Sequence, residues 1–196
     1  MDWPANPFWD YALELYRRDG VEAACLELQE RHRLDVNILL LCCWLASRGI
    51  PADEAALRRI AELAEVWQEE FVRPLRAVRS RLKARLRQPQ PGSIAGRWPE
   101  LAAALRQRVL ALEIDGERLE QLLLAELAAE RPPTATPGVA LASANLRRYR
   151  RFAAPDRRPL ATLLQAALPD VPTSEVAASL DWLEQRAVGG QPLPHE

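Results

Sequence analysis

DVNILLLCCWLASRG, residues 35–49, is the stretch that decides the fold. Asp35 is a typical N-cap, because its carboxylate accepts hydrogen bonds from the free backbone N–H groups of a helix start. No charged residue follows between 36 and 46, so the predicted helix is apolar on every face. A bilayer core requires about 20 apolar residues, and this run ends at Ser47 and Arg48 after roughly half of that. The segment is therefore predicted to be the central core helix of a folded domain.

The segments on either side have the apolar periodicity of amphipathic helices. NPFWDYALELYRRDG begins with an N-cap asparagine and a proline at the first helical position, and it ends at Gly20. VEAACLELQERHR and, after Gly49 and Pro51, ADEAALRRIAELAEVWQEEFV place apolar side chains on one face. The pattern predicts an all-α fold, an orthogonal or irregular bundle of about six to eight helices around the central apolar helix.

Proline and glycine residues divide the rest of the chain. Pro74 is predicted to kink or restart a helix that continues as PLRAVRSRLKARLRQ, and PQPGS at 89–93 ends it. Two more helices are predicted, PELAAALRQRVLALE and GERLEQLLLAELAAER, with a break at the glycine between them. PPTATPG at 132–138 is predicted to be a stiff linker between a helical domain, 1–131, and a small helical extension, 139–196.

Composition limits the compartment and the chemistry. The 196 residues carry a net charge of −1, which excludes a strong overall field for nucleic acid or membranes. MDWPANPFWDY has no features of a secretory leader, and we expect a cytoplasmic protein with reduced thiols at its three cysteines. The sequence predicts no metal site, no cofactor, no transmembrane segment and no DNA-specific motif. It leaves the oligomeric state open.

Three stretches within residues 8–83 resemble an uncharacterised all-helical protein family of proteobacteria. They are FWDYALELY, GVEAACLELQERHRLDVNILLLCCWLA and WQEEFVRPLRAVRSRLK, and their order and spacing carry the resemblance. The resemblance implies an intracellular, all-helical bacterial protein with a domain of unknown function. It implies no activity, cofactor or catalytic residue, and the residues after the proline-rich linker lie outside it.

An arginine-rich helix is the first candidate site. No acidic residue occurs between Phe71 and Pro99, although cations recur throughout that interval. Such a surface attracts an acidic partner, for example RNA, a ribosome-associated surface or an acidic protein. A second basic cluster, RRYRR, adds an aromatic ring that can stack on a base. The residues assigned to partner binding are Arg73, Arg76, Arg79, Arg81, Lys83, Arg87, Arg147, Arg148, Tyr149, Arg150 and Arg151.

A structural explanation of the same charges stays open. The preceding helix is rich in acids, and internal ion pairs are what surface charges mostly form. The acids available for such pairing are Glu62, Glu65, Glu69 and Glu70. The sequence does not decide whether the cations of residues 73–87 are free or internally paired.

A pocket is the alternative candidate site. Aromatic and amide side chains near the apolar helix would line it: Trp9, Tyr11, Gln29, Asn37 and Trp67. Polar groups at a helix start are also expected for purely structural reasons. Because no glycine-rich phosphate loop, nucleophile elbow or metal-ligand pair is present, an enzyme is not favoured, although it is not excluded. The sequence thus predicts a non-enzymatic interaction protein, with a small-molecule-binding protein or enzyme as the alternative.

Overall fold

The computed structural model describes residues 2–129 and 132–185, and its elements there are all helical. The α-helices are α1 (Pro7–Tyr16), α2 (Val21–His32), α3 (Val36–Ser47), α4 (Glu54–Trp67), α5 (Arg73–Arg87), α6 (Ile94–Arg97), α7 (Pro99–Ala129), α8 (Val139–Tyr149), α9 (Arg157–Ala167), α10 (Thr173–Ser179) and α11 (Trp182–Gln185). A π-helix, Gln68–Val72, joins α4 to α5, and a 3₁₀ turn, Ala154–Asp156, precedes α9. The predicted all-α class is confirmed.

Contacts between these helices define two units. The core unit contains the described residues up to Ala61 and from Leu124 onward, and the hairpin unit contains residues 62–123. The boundaries fall inside α4 and α7. Residues 186–196, the end of the predicted C-terminal extension, lie outside the described part of the chain.

Helix α3 is the centre of the core unit, as its sequence predicts. The Asn37 N–H donates to the Asp35 carboxylate at 2.7 Å, which caps the helix start. Every residue from Ile38 to Ala46 is buried, so no face of this segment meets solvent. Helices α1, α2 and α8 pack against it and supply the apolar surroundings that such a helix requires.

Helix α1 is aligned on α3 by its cap and by one aromatic contact. The Asn6 side-chain oxygen accepts from the N–H groups of Phe8 and Trp9, at 3.2 Å each. The fully buried Phe8 ring lies 5.3 Å from the Trp44 ring of α3, centroid to centroid. The cap therefore sets where the helix begins, and the aromatic pair fixes its buried side against the core.

The described part of the predicted C-terminal extension packs on the core. Helix α8 lies against α3, and α9 lies against α2. Asn145 of α8 is fully buried, and its side-chain oxygen accepts from the Ala52 N–H at 2.8 Å. Its amide group donates to the carbonyls of Cys42 and Ile50 at 3.2 Å each. Because both ends of this amide are satisfied, Asn145 holds α8 to the end of α3 in one register.

The proline-rich segment 132–138 also contacts the core unit. The N–H groups of Thr134 and Ala135 both donate to the Gly49 carbonyl at 3.0 Å. Gly49 has a φ of +70°, and a Cβ at this position would lie 2.4 Å from the Ala135 carbonyl oxygen. A glycine is required here both for its backbone conformation and for the close approach of the segment.

In the hairpin unit, Pro74 changes the form of the helix without ending it. Proline lacks an N–H and its ring collides with the carbonyl four residues earlier, so a regular α-helix cannot pass through this position unchanged. The chain widens into the π-helix at 68–72, where the Arg73 N–H donates to the Gln68 carbonyl five residues back. The helix then continues as α5, so the wider turn absorbs the misfit.

The predicted break at Gly116 is wrong, because α7 runs through it as one helix of 31 residues. Gly116 is buried, and its carbonyl accepts from the Trp67 indole N–H at 2.9 Å. A Cβ on this glycine would lie 3.5 Å from a methyl group of Val72. That distance is an ordinary van der Waals contact, so the position does not require a glycine for space. Glycine costs only about 1 kcal/mol within a helix, which is too little to end α7 here.

Candidate functional site

The first half of α5 is occupied by internal ion pairs. Arg73 donates to Glu65 at 2.8 Å and to Glu69 at 3.1 Å. Arg76 donates to Glu113 at 2.8 Å and to Glu117 at 2.6 Å, across to α7. Arg79 also donates to Glu113. Arg76 and Arg79 therefore tie α5 to α7, whereas Arg73 pairs within its own arm of the hairpin.

Glu113 is the centre of the interhelical part of this network. Its side chain is only 5 % exposed, and it receives both Arg76 and Arg79. Burial by itself would raise the pKa of this carboxyl, but the hydrogen bonds from Arg79 and Arg76 outweigh it and lower the pKa below its usual value. Glu113 is therefore a charged group that the fold keeps ionised inside the hairpin.

The second half of α5 has a different character. Its cations are exposed side chains for which the described residues provide no hydrogen-bonding or ion-pair partner: Arg81, Lys83, Arg85 and Arg87. Arg85 and Arg87 lie in the last turn of α5, where cations interact favourably with the negative end of the helix dipole. This interaction is a structural reason for these two residues. The dipole acts over one turn only, so it does not account for Arg81 and Lys83.

An aromatic side chain lies beside this basic end. Helix α6 contacts α5, and the residue after α6, Trp98, is 48 % exposed. The Arg97 guanidinium lies over the Trp98 ring, 5.1 Å from its centroid. We call this surface the basic tip; it consists of Arg81, Lys83, Arg85, Arg87, Arg97 and Trp98. It combines free cations with an accessible ring.

Most of the second predicted cluster makes contacts within the core unit. The Tyr149 hydroxyl accepts from the Asp35 N–H at 3.0 Å, and burial raises the pKa of this phenol. Arg150 donates to the His32 carbonyl at 2.7 Å, and Arg147 lies over the Trp182 ring. Two members of the cluster are exposed without such contacts among the described residues: Arg148 and Arg151.

The five predicted pocket residues are spread over both units. Trp9, Tyr11, Gln29 and Asn37 belong to the core unit, and Trp67 belongs to the hairpin unit. The Tyr11 hydroxyl is buried with no hydrogen-bonding partner among the described residues, and burial raises the pKa of this phenol. An open groove of about 490 Å³ in the core unit is lined by other residues, of α9, of α10 and of the turn after α1. The pocket stays a prediction.

Sequence reasoning missed a buried carboxylate in the core unit. Asp156 is fully buried, and it accepts from the Ala153 N–H at 2.7 Å, from His32 at 2.9 Å and from Arg31. Burial would raise the pKa of Asp156, but the hydrogen bonds from Ala153, His32 and Arg31 lower it. No local pattern indicates this site, because Arg31 and His32 are more than 120 residues from Asp156 in the chain. It ties the turn before α9 to the end of α2.

Within residues 2–129 and 132–185, no three His, Cys, Asp or Glu side chains are grouped so that they could bind a metal ion. Helices with the length and apolar character that a bilayer crossing demands are not found in the same ranges.

The fold and the site define a class of protein: an all-α protein with an apolar core unit and a charged helical hairpin. The chain belongs to a family described as protein of unknown function (DUF2390), whose model matches residues 7–127. The expected membership of an uncharacterised family with a domain of unknown function is thus confirmed, and the match extends through nearly all of α7. Neither the curated proteins nor the solved structures contain a match to this chain.

Proposed function

We propose that this chain is a non-enzymatic interaction protein that binds single-stranded RNA through the basic tip. The observation that carries the proposal is the difference between the two halves of α5. Arg73, Arg76 and Arg79 have carboxylate partners, whereas the cations from Arg81 to Arg87 have none among the described residues. Free cations on a rigid helix are available to neutralise phosphates and release counterions.

The Trp98 ring in the basic tip favours RNA over an acidic protein as the partner. A single strand presents unstacked bases, and a base stacked on an exposed ring contributes about 1–3 kcal/mol. Trp98 is exposed and lies next to Arg97 at the end of the hairpin. An acidic polypeptide would use the cations and would have no comparable need for the ring.

The proposal assigns a limited role to the second cluster. Tyr149 is engaged with Asp35, so it is not available as a stacking platform in this conformation. Arg148 and Arg151 are the members that remain for an electrostatic contribution.

The proposal also places the protein in a bacterial cytoplasm. The buried, unpaired cysteines support this compartment, and burial raises the pKa of Cys25 to about 12.

The test compares two variants with the same net charge. In the tip variant, Arg81, Lys83, Arg85 and Arg87 are replaced by Gln. In the control variant, four exposed arginines of the core unit are replaced by Gln: Arg17, Arg33, Arg58 and Arg59. Binding of a fluorescently labelled 12-nucleotide single-stranded RNA is measured by anisotropy between about 50 and 200 mM salt.

We expect the tip variant to bind at least about tenfold more weakly and the control variant to stay within about twofold of the unmodified protein. Four phosphate contacts predict a slope of log K against log salt of about −3. The proposal fails if the tip variant binds as the unmodified protein does, or if the unmodified protein does not bind RNA at 100 mM salt.

A Trp98→Ala variant separates the two kinds of partner. If RNA is the partner, this variant loses about five- to tenfold in affinity with an unchanged salt slope, because stacking is lost and the phosphate contacts stay. Tighter binding of polyglutamate than of RNA, with no effect of Trp98→Ala, would replace RNA by an acidic protein.

A further inference from the structure

Helix α7 exposes a row of leucines that the hairpin itself does not use. The row consists of Leu101, Leu105, Leu112, Leu119 and Leu123, which are 37–68 % exposed. The side of α7 that packs within the hairpin carries other residues, among them Val109, Glu113 and Glu120, all buried. Five exposed leucines along one line of a helix are more than scattered surface apolar residues, and such a patch marks an interaction site.

The spacing of the row is symmetric. Its members are separated by four, seven, seven and four residues, so the pattern reads the same in both directions from Leu112. At 100° per residue, all five lie within a sector of about 40° on the helix, a straight seam about 33 Å long. A two-fold interface must be complementary to itself, and an antiparallel pair of α7 helices would place Leu101 opposite Leu123 and Leu105 opposite Leu119.

Charges beside the row agree with the same arrangement. Arg108 and Asp115 lie on one flank of the leucine seam, two turns apart, and no described residue pairs with either of them. A two-fold axis at Leu112 brings Arg108 of one copy to within one residue of the level of Asp115 on the other, on the same side of the interface. The pair would form twice per dimer, which is the charge complementarity that sets register in helical interfaces.

From the symmetric spacing and the matched charges we infer that α7 is the interface of an antiparallel homodimer with its two-fold axis at Leu112. Complete cover of the exposed parts of the five leucines would bury on the order of 900 Å² over two copies, so flanking residues of the seam must supply the remainder of the roughly 1,200 Å² that a specific interface needs. None of these residues belongs to the basic tip, so the inference does not depend on RNA binding.

The first test is the mass in solution of the full chain, by sedimentation velocity from about 1 to 100 µM. The protein is expected at twice its chain mass of 22.1 kDa. Leu112→Lys places two like charges together on the axis, and it is expected to give a monomer with unchanged helix content by circular dichroism. Ile114→Lys is the matched control, because Ile114 is 41 % exposed on another side of α7, and this variant is expected to remain dimeric.

A charge exchange tests the register. Arg108→Asp and Asp115→Arg should each weaken the dimer by about tenfold, because each creates like-charge contacts twice, and the double variant should restore it. The inference is overturned if the unmodified protein is monomeric at 100 µM or if Leu112→Lys leaves the dimer intact. It is also overturned if the double variant loses as much dimer affinity as the two single variants lose together. A monomeric unmodified protein is the result expected if another protein, or residues 186–196, covers the leucine row.

Discussion

The two arms of the hairpin unit and the helices of the core unit are stabilised by different interactions. In α3, every residue from Ile38 to Ala46 is buried and apolar. In α5, no residue is fully buried, while α7 buries Glu113 and Glu120 and exposes leucines. The core unit thus depends on apolar packing, and the hairpin unit combines interhelical ion pairs with exposed leucines and exposed cations. The difference teaches that one chain can concentrate apolar burial in one region and charge in another.

The largest expected effect comes from a cavity in the core unit. Leu41→Ala removes a fully buried side chain from α3, and it should lower the free energy of unfolding by about 2–5 kcal/mol. Leu26→Ala on α2 is the control, because Leu26 is 42 % exposed and should cost well under 1 kcal/mol. Urea denaturation followed by circular dichroism measures both. If both variants lost the same free energy of unfolding, apolar packing around α3 would not be what stabilises the core unit.

A buried polar link should cost nearly as much. Asp156→Asn keeps the shape of the side chain but removes the charge that Arg31 and His32 face, and it should destabilise the protein by about 1.5–3 kcal/mol. The same urea titration measures it, with Asp170→Asn on an exposed turn as the control. A loss below 0.5 kcal/mol would mean that apolar packing alone holds α9 to α2.

Glu113→Gln should affect the hairpin unit, and its effect should depend on pH. The folded state lowers the pKa of Glu113, so the stability it contributes is present above the unfolded pKa of about 4.3 and is lost as pH falls through the lower folded value. Above about pH 5 the variant should be about 1–3 kcal/mol less stable, and the gap should close in acid. Hydrogen exchange of the α5 amides across pH 3–7 measures this. If the difference in stability between the variant and the unmodified protein grew as the pH fell, Glu113 would not be the ionised group that we assign.

The smallest effect is expected at an exposed ion pair. Arg73→Gln breaks the contacts to Glu65 and Glu69, whose side chains are more than half exposed, and it should cost about 0.2–1 kcal/mol. Most of this loss should disappear in 1 M salt, since the Debye length falls to about 3 Å. Arg81→Gln, which removes a cation without a described partner, should cost nothing measurable in the same titration. If the loss of stability in Arg73→Gln were the same in 1 M salt, packing of the aliphatic part of the Arg73 side chain would be its cause, and not the ion pairs.

Part of the site follows from local pattern. The i,i+4 spacing of Glu69 and Arg73 predicts their pairing, and the acid-rich end of α4 was the predicted source of carboxylates. The partners of Arg76 and Arg79 were not predicted, because Glu113 and Glu117 lie 34–41 residues further along the chain. The division of α5 into a paired half and a free half therefore needed the hairpin geometry.

What the sequence by itself determined is the central helix, because an uncharged run of that length with a cap at Asp35 has one stable environment, the inside of a helical bundle. The tertiary structure alone decided which distant polar groups meet. Asn145, Asp156 and Glu113 acquire their roles from groups more than 30 residues away, and Gly116 lies within one continuous helix although glycine is a weak helix former. Local propensities are weak, of the order of 1 kcal/mol, and long-range packing and buried hydrogen bonds exceed them.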